Sequence, residues 1–584
     1  MSKTLSLGTD NIGKLLFNYA TPAIIAMASS SLYHLIDSAF VGHGVGGAAI
    51  AGMAITMPIM NIGSAFGAMV GVGAGARISL RLGEGNKSAA EKTLCNAVIL
   101  NIIIGFTIMA VMLTFLDEIL VLFSGGEASA ETLTYAKDFM RIILLGNVTM
   151  HLYLGMNDMI RSSGNPRKSM AIMLTSVAIN LALNPLFIFV FHWGIQGSAA
   201  ATVIAQFVSF LLALSHFCSK KSFLRFKREA FHLDWKIVGN ILSIGLAPFL
   251  MNICASIVVA FVNTAMLKYG GADLYVGAYG IVNRIVLLFI MVIMGLNQGM
   301  QPIVGYNYGA KNYARVRKAV YMTICCGVVI ATLGFILGQT IPDVIARAFV
   351  DSSKGGDEHL IVDAAAKGLR LVLMVFPLVG FQIVVGGFFQ YIGKAPLAIL
   401  MSLTRQLLFL LPLLSLLPRH FGAQGVWISM PIADTASIIL AFVLFVWQMH
   451  KIKQLELQTM VNPDGRSTNR LLYILVGLGV TISLGAAAAF LFLSGTLDKK
   501  ADKEQEKVST PQIEVTQNIP TEEATAPAEQ SVAPGRGQQV GCREDSLQCR
   551  NPEYHYRLYD NGGDAHLGSD KPGSQSSLHI CIPL

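Results

Sequence analysis

The sequence predicts an all-α polytopic membrane protein made of two parallel six-helix repeats. Three observations lead there. Of 584 residues, 53% are hydrophobic and only 13% charged, about half the charged share that a soluble domain carries to solvate its surface; mean hydropathy is +0.57. Apolar runs of the ~20 residues needed to cross a bilayer begin near Leu15, Ala48, Leu94, Phe139, Ser169, Gly197, Ile237, Tyr275, Ala319, Leu369, Ala395 and Gly425. Much of the first half of that pattern recurs in the second.

The first run follows the polar segment 1–14 and is too long for the core of a cleavable signal peptide, so it is expected to remain as an anchor. The loops then alternate in charge. Arg77, Arg81, Lys87 and Lys92 follow the second run, and Arg161, Arg167 and Lys168 follow the fourth. The basic stretch Lys220 to Arg228 follows the sixth, and Lys311, Arg315, Arg317 and Lys318 follow the eighth. Intervening loops are short or acidic, with Asp117, Glu118, Glu127 and Glu131 in one and Asp343, Asp351, Asp357 and Glu358 in another. Basic loops stay inside, which predicts a cytoplasmic N-terminus. The net charge of +8 is thus accounted for by the membrane, not by a nucleic-acid partner. Cys95, Cys218, Cys254, Cys325 and Cys326 lie in or beside apolar runs, as small hydrophobes do.

The repeat is explicit. At an offset of 226, Pro22 falls on Pro248, Asp37 on Asn263, Gly73 on Gly299, Gly83 on Gly309, Asn86 on Asn312 and Lys92 on Lys318. Gly164 falls on Gly393 at 229, and Gly194-Ile195-Gln196-Gly197 on Gly422-Ala423-Gln424-Gly425 at 228. An even number of spans per half inserts both halves the same way up, with a substrate site expected between them. The predicted organisation is a first lobe over 1–219, a basic inter-lobe loop over 220–236 and a second lobe over 237–450. A linker over 451–470, an additional span over 471–493 and a disordered tail over 494–584 complete it. The tail is rich in Glu, Gln, Thr, Pro, Ser and Gly, a composition that does not form a core. Its Cys542, Cys549 and Cys581 could oxidise if it lies outside the cytoplasm.

No catalytic motif is present: GxxxxGK[ST], HExxH, GxSxG and zinc-like Cys/His spacing are all missing. The chain is therefore not expected to be an enzyme, and no cofactor is expected. Gly71-Val72-Gly73-Ala74-Gly75-Ala76 has glycines spaced like those of a dinucleotide loop. It ends a membrane helix, however, where small residues serve close packing. Without a nucleotide site, transport would draw on an ion gradient.

Ionisable groups inside the spans are the informative ones, because burying them in lipid is costly. They are Asp37, Arg284, Arg405 and Asp434. A buried carboxylate such as Asp37 is disfavoured as a bare anion, so it can take up H⁺, or Na⁺ if neutral oxygens surround it. Asn180 and Asn184, four apart on one helix face, and Thr202 could supply those oxygens; interhelical hydrogen bonding alone would account for them equally well. Arg405 could neutralise Asp434, as a structural ion pair or in transport. Arg284 could line a cavity or meet a lipid headgroup. Tyr33, Asn263, Tyr279, Asn283, Gln298 and Gln301 complete the candidates for a substrate cavity.

Several segments carry a resemblance. They are the first-span run ending in Asp37 with Phe40-Val41-Gly42, the loop Leu82-Gly83-Glu84-Gly85-Asn86, Ala278-Tyr279-Gly280-Ile281, and Gly299-Met300-Gln301-Pro302-Ile303-Val304-Gly305-Tyr306-Asn307-Tyr308-Gly309-Ala310. Together they resemble the multidrug and toxic compound extrusion (MATE) family over roughly residues 10–450. The resemblance implies two six-helix lobes around a central cavity. It also implies export of small amphipathic, often cationic compounds in exchange for H⁺ or Na⁺, by a monomer in a bacterial plasma membrane. In the branch whose ion site lies in the N-terminal lobe, the first-span Asp couples the ion, with an Asn and an Asp four apart in the fifth helix and a Thr in the sixth. Asp37, Asn180 and Thr202 match; Asn184 stands where the second acid is expected, leaving one carboxylate instead of two. The alternative within the wider superfamily is a lipid-linked oligosaccharide flippase, which needs a strongly cationic cavity.

Overall fold

A computed structural model describes residues 6–124, 129–270, 273–349 and 358–459. The expected additional span (471–493) and the tail (494–584) lie outside the described residues. Among those described the chain is helical, without a strand. The first half runs through α1 (Ile12–Gly44), α2 (Gly47–Gly83), α3 (Lys87–Thr114), α4 (Ala130–Leu145), α5 (Asn147–Ser162), α6 (Pro166–Pro185) and α7 (Gly194–Cys218). The second runs through α8 (Trp235–Gly270), α9 (Asp273–Gly309), α10 (Tyr313–Thr340), α11 (Glu358–Val372), α12 (Phe376–Tyr391), α13 (Ala395–Leu403) and α14 (Leu411–Thr459). Both ends of α2 and α3 recur in α9 and α10 at an offset of 226, and both ends of α5 recur in α12 at 229.

Among the described residues, nine helices are long and apolar enough to cross a membrane, or eleven if each of two bent pairs is one span. The pairs are α4 with α5 and α11 with α12, each bent by 56°. The sequence places apolar runs beginning near Phe139 and Leu369 there. Gly146 separates the first pair, and in the second Pro377 lacks the N–H that would continue the helix ladder. Residues 395–458 form one long apolar run, with a π-helical turn over Thr404–Leu410 and a break at Gly422. Gly422 has φ 57°, in the left-handed region that costs glycine little.

Two boundaries differ from the sequence expectation. α8 begins at Trp235, inside the expected inter-lobe loop, and α14 continues to Thr459, inside the expected linker. The Arg317 guanidinium meets the Glu456 carboxylate at 3.0 Å, with both side chains largely covered, and this ties the last turns of α14 to α10.

The halves are joined by exchange. α8 packs most extensively on α2, and α9 on α1, so the first helix of each half lies against the second helix of the other. The second helices of the two halves, α2 and α9, also cross closely, and glycine makes that approach possible. A Cβ on Gly83 would strike the Tyr306 carbonyl and crowd the Ala310 amide, and one on Gly309 would strike the Leu80 carbonyl and crowd the Glu84 amide. These two collisions are the same contact seen from each half, since Leu80 and Glu84 fall on Tyr306 and Ala310 at the 226 offset. Gly73 packs on the Ile241 carbonyl and Gly299 on Ala20, which agrees with close packing as the role of the glycine-rich stretch.

The segments before α1 and α8 are exchanged as well. Arg315 donates to the carbonyls of Asp10 (2.6 Å) and Leu7 (3.2 Å) from the second half. Lys227 meets the buried Glu91 carboxylate at 2.9 Å, and Asn96 Oδ1 accepts from the Asp234 amide at 2.8 Å, fastening the basic loop to the first half. Lys87 also lies 4.8 Å over the Phe223 ring.

Gly309→Val should therefore overpack the crossing and cost about 1–3 kcal/mol, seen as a lower unfolding midpoint in detergent. Gly239→Ala, where a Cβ meets nothing within 4 Å, should instead gain about 0.5–1 kcal/mol from helix propensity.

Candidate functional site

Three helices each bring a pair of polar side chains, four residues apart, to one place in the first half. α1 supplies Tyr33 and Asp37, α6 supplies Asn180 and Asn184, and α7 supplies Ser198 and Thr202. A spacing of four places both members of a pair on one helix face, so the six residues form two tiers one turn apart. In the first tier the Tyr33 and Thr202 hydroxyls lie 3.1 Å apart, and Asn180 Nδ2 donates to Thr202 Oγ1 at 3.0 Å and to Tyr33 Oη at 3.5 Å. In the second, Asp37 Oδ1 accepts from Asn184 Nδ2 and, at 2.8 Å, from Ser198 Oγ. Asn184 Nδ2 also reaches Asn180 Oδ1 at 3.4 Å, which links the tiers.

Asp37 is 4% exposed and Asn184 fully buried. The carboxylate is held here by neutral donors, the arrangement that keeps a buried acid usable. Asn184 Oδ1 is buried with no hydrogen-bond partner. With the Asp37, Asn180, Thr202 and Tyr33 oxygens nearby, this is an all-oxygen donor set that suits a hard cation such as Na⁺. Pro185 ends α6 directly after Asn184 and leads into a π-helical turn, Leu186–Val190. Such turns often accompany sites.

The first tier opens onto a cavity of about 260 Å³ lined by Tyr33, Asn61, Ser176, Asn180, Thr202 and Gln206, among others. A second cavity, about 140 Å³, lies at the junction of the halves, lined by Val72 and Arg161 from the first and by Gln298, Gln301, Arg405 and others from the second. Arg405 holds Asp434 through Nε at 2.6 Å and Nη2 at 3.4 Å. Of the remaining candidates, Tyr279 packs on Trp427 with ring centroids 6.2 Å apart. Asn263 and Asn283 are half-buried and Arg284 is exposed, all outside both cavities.

The halves diverge at the site. At offsets of 226 and 228, Asp37, Ser198 and Thr202 fall on Asn263, Val426 and Met430, so the second half lacks the cluster. Conversely, Ser176 at an offset of 229 and Gln206 at 228 fall on Arg405 and Asp434, placing an ion pair where the first half has two neutral cavity residues.

Ser198 was not among the sequence candidates, because it sits in a run of small residues that reads as packing. Its spacing of four from Thr202, and Val426 at its repeat position, were the available signals. Arg161 entered the sequence reading only as one of the basic residues after the fourth run. It is instead buried, pairs with Asp158 at 2.7 Å and lines the cavity at the junction.

Asp37→Asn should keep the unfolding midpoint near that of the parent, since an amide oxygen can still accept from Asn184 and Ser198. Asn184→Leu removes a donor to a buried carboxylate and should cost about 1–3 kcal/mol, read as a lower midpoint.

Comparison with known proteins agrees with this architecture. The chain is 28% identical over 431 residues to the multidrug export protein MepA of Staphylococcus haemolyticus, covering 74% of this chain and 92% of that protein. It superposes with a TM-score of 0.72 at 24% identity on an outward-facing multidrug resistance MATE transporter, covering 78% of this chain and 99% of that one. The same score, identity and coverage relate it to a MOP superfamily transporter from Pyrococcus furiosus. The MatE family model matches twice, over residues 22–186 and 248–414, once in each half. With more than half its length so matched, the chain belongs to the MatE family.

Proposed function

We propose that this protein is a cation-coupled exporter of small amphipathic, often cationic organic compounds in the plasma membrane of a bacterium, acting as a monomer. The observation that carries the reading is Asp37, an acid buried in the first half among neutral oxygens, with no counterpart acid in the second. Uptake of H⁺ or Na⁺ there from outside neutralises the carboxylate and changes what α1, α6 and α7 prefer as neighbours. Exchange follows if cation and substrate differ in affinity for the two orientations of the halves. The multidrug export protein MepA, similar over three quarters of this chain, supports drugs as the substrate class.

The spans are read as twelve, six per half. At 1.5 Å per residue the 64-residue run Ala395–Gln458 would stretch about 96 Å, three times a hydrocarbon core of ~30 Å, so it is taken as two spans hinged at Gly422. Each bent pair counts as one. The basic loops put the N-terminus and the Gly83–Gly309 crossing on the cytoplasmic side.

A flippase for pyrophosphate-linked lipids would need uncompensated cationic charge in its cavity. Arg161 and Arg405, which line the cavity at the junction, are held by Asp158 and Asp434, and this favours the exporter.

Reconstituted into vesicles, the protein should export a cationic dye when a pH gradient or a sodium gradient is imposed, and the gradient that suffices identifies the coupling ion. Asp37→Asn should lower that export by at least about tenfold, as expected when ~1.4 kcal/mol or more of coupling is lost. Undiminished export by this variant would overturn the role given to Asp37.

A further inference from the structure

The segment that joins the halves carries more positive charge than the fold consumes. Lys227 is held by the buried Glu91 carboxylate at 2.9 Å. Lys220, Lys221, Arg225, Arg228 and Lys236 have no carboxylate partner among the described residues. Two acids share the segment with them. Asp234 is committed to the start of α8, where its Oδ1 accepts from the amides of Lys236 at 2.9 Å and Ile237 at 3.3 Å. Glu229 is exposed. The surface that remains is strongly positive.

The segment that displays these charges is firmly seated. Leu224 and Ala230 are buried, the Phe226 amide donates to the Phe217 carbonyl at 3.3 Å, and the two rings lie 5.6 Å apart. With Lys87 over Phe223 and Asn96 on the Asp234 amide, the inner side of the loop is spent on the first half. Its outer side is thereby fixed in shape, and little ordering remains to be done on binding. That outer side is not purely polar. Phe231 is 45% and Trp235 76% exposed, at the point where α8 begins its 36-residue course through the bilayer. Unpaired cations beside exposed aromatic rings at the mouth of a span match a membrane interface, where rings sit at head-group level and cations meet anionic lipid. An acidic peptide would be served by the charges alone; the rings at the foot of a span favour lipid.

We propose that the inter-lobe loop and the first turn of α8 form a docking surface for anionic phospholipid. Head-group phosphates meet Lys220, Lys221, Arg228 and Lys236, while Phe231 and Trp235 lie at the level of the glycerol. A zwitterionic lipid brings its own cation next to the phosphate and binds more weakly. The surface is separate from the Asp37 cluster and does not depend on the exporter reading.

Trp235 provides the readout. The intact protein in detergent is titrated with phosphatidylglycerol carrying brominated acyl chains, which quench a nearby indole, and with brominated phosphatidylcholine as the zwitterionic counterpart. Phosphatidylglycerol should reach half-quenching at a concentration at least about fivefold lower, the effect of roughly one basic group near an anionic surface. Trp235→Phe should remove most of that difference. Lys220→Gln, Lys221→Gln and Arg228→Gln combined should weaken phosphatidylglycerol at least about tenfold and leave phosphatidylcholine unchanged. Lys311→Gln with Lys318→Gln, two exposed positions in the other basic loop, should change neither lipid. Unfolding midpoints confirm that the variants are folded. Equal quenching by both lipids, a difference retained in full by Trp235→Phe, unchanged affinity in the folded triple variant, or equal weakening by the Lys311 and Lys318 changes would overturn the proposal. Displacement of the lipid by an equal concentration of glycerol phosphate would overturn it too, since that marks a site for free phosphate groups and not for a membrane surface.

Discussion

The backbone crossing at Gly83 and Gly309 is the contact on which the rest of the architecture depends. Each glycine lies where a Cβ would strike a backbone carbonyl of the other half, and between apolar helices in lipid such close approach replaces the hydrophobic drive that assembles soluble proteins. The exchange of α1 and α8 onto the opposite halves uses the same device, with Gly299 on Ala20 and Gly73 on the Ile241 carbonyl. Two polar fastenings precede those helices, Arg315 on the N-terminal segment and Glu91 with Asn96 on the basic inter-lobe loop.

Within this frame the two halves do different chemistry with equivalent positions. The first gathers three pairs of polar residues at a spacing of four around Asp37. The second fills the matching places with Asn263, Val426 and Met430 and puts its charges at Arg405 and Asp434 instead. The duplicated fold thus places a buried carboxylate held by neutral donors in one half and one held by a guanidinium in the other.

Much of this was legible in the sequence, for identifiable reasons. The spans and the repeat are written in hydropathy and in glycine and proline spacing, which the bilayer makes nearly obligatory. Asp37 stood out because ionised groups are rare inside apolar runs. Asn180, Asn184 and Thr202 were named, and the structure brings them to one site with Tyr33, whereas Asn263, Asn283 and Arg284 lie elsewhere. Ser198 was hidden among small residues of the kind that usually pack helices. Arg161 stood only as one more basic residue after the fourth run, because burial of a long side chain depends on which helices cross above it. The bends at Gly146 and before Pro377 were equally out of reach, since a glycine or proline permits a bend without requiring one.

The reciprocity of the glycine crossing also constrains how such a duplicated chain can change over generations. Gly83 and Gly309 each take their space from the other half's backbone, so neither copy is at liberty to enlarge its glycine alone. The residues around Asp37 face neighbours within their own half and carry no such mutual obligation. A lineage descended from one doubled ancestor can therefore rewrite the chemistry of either copy separately while the joint between them is inherited almost as a single trait.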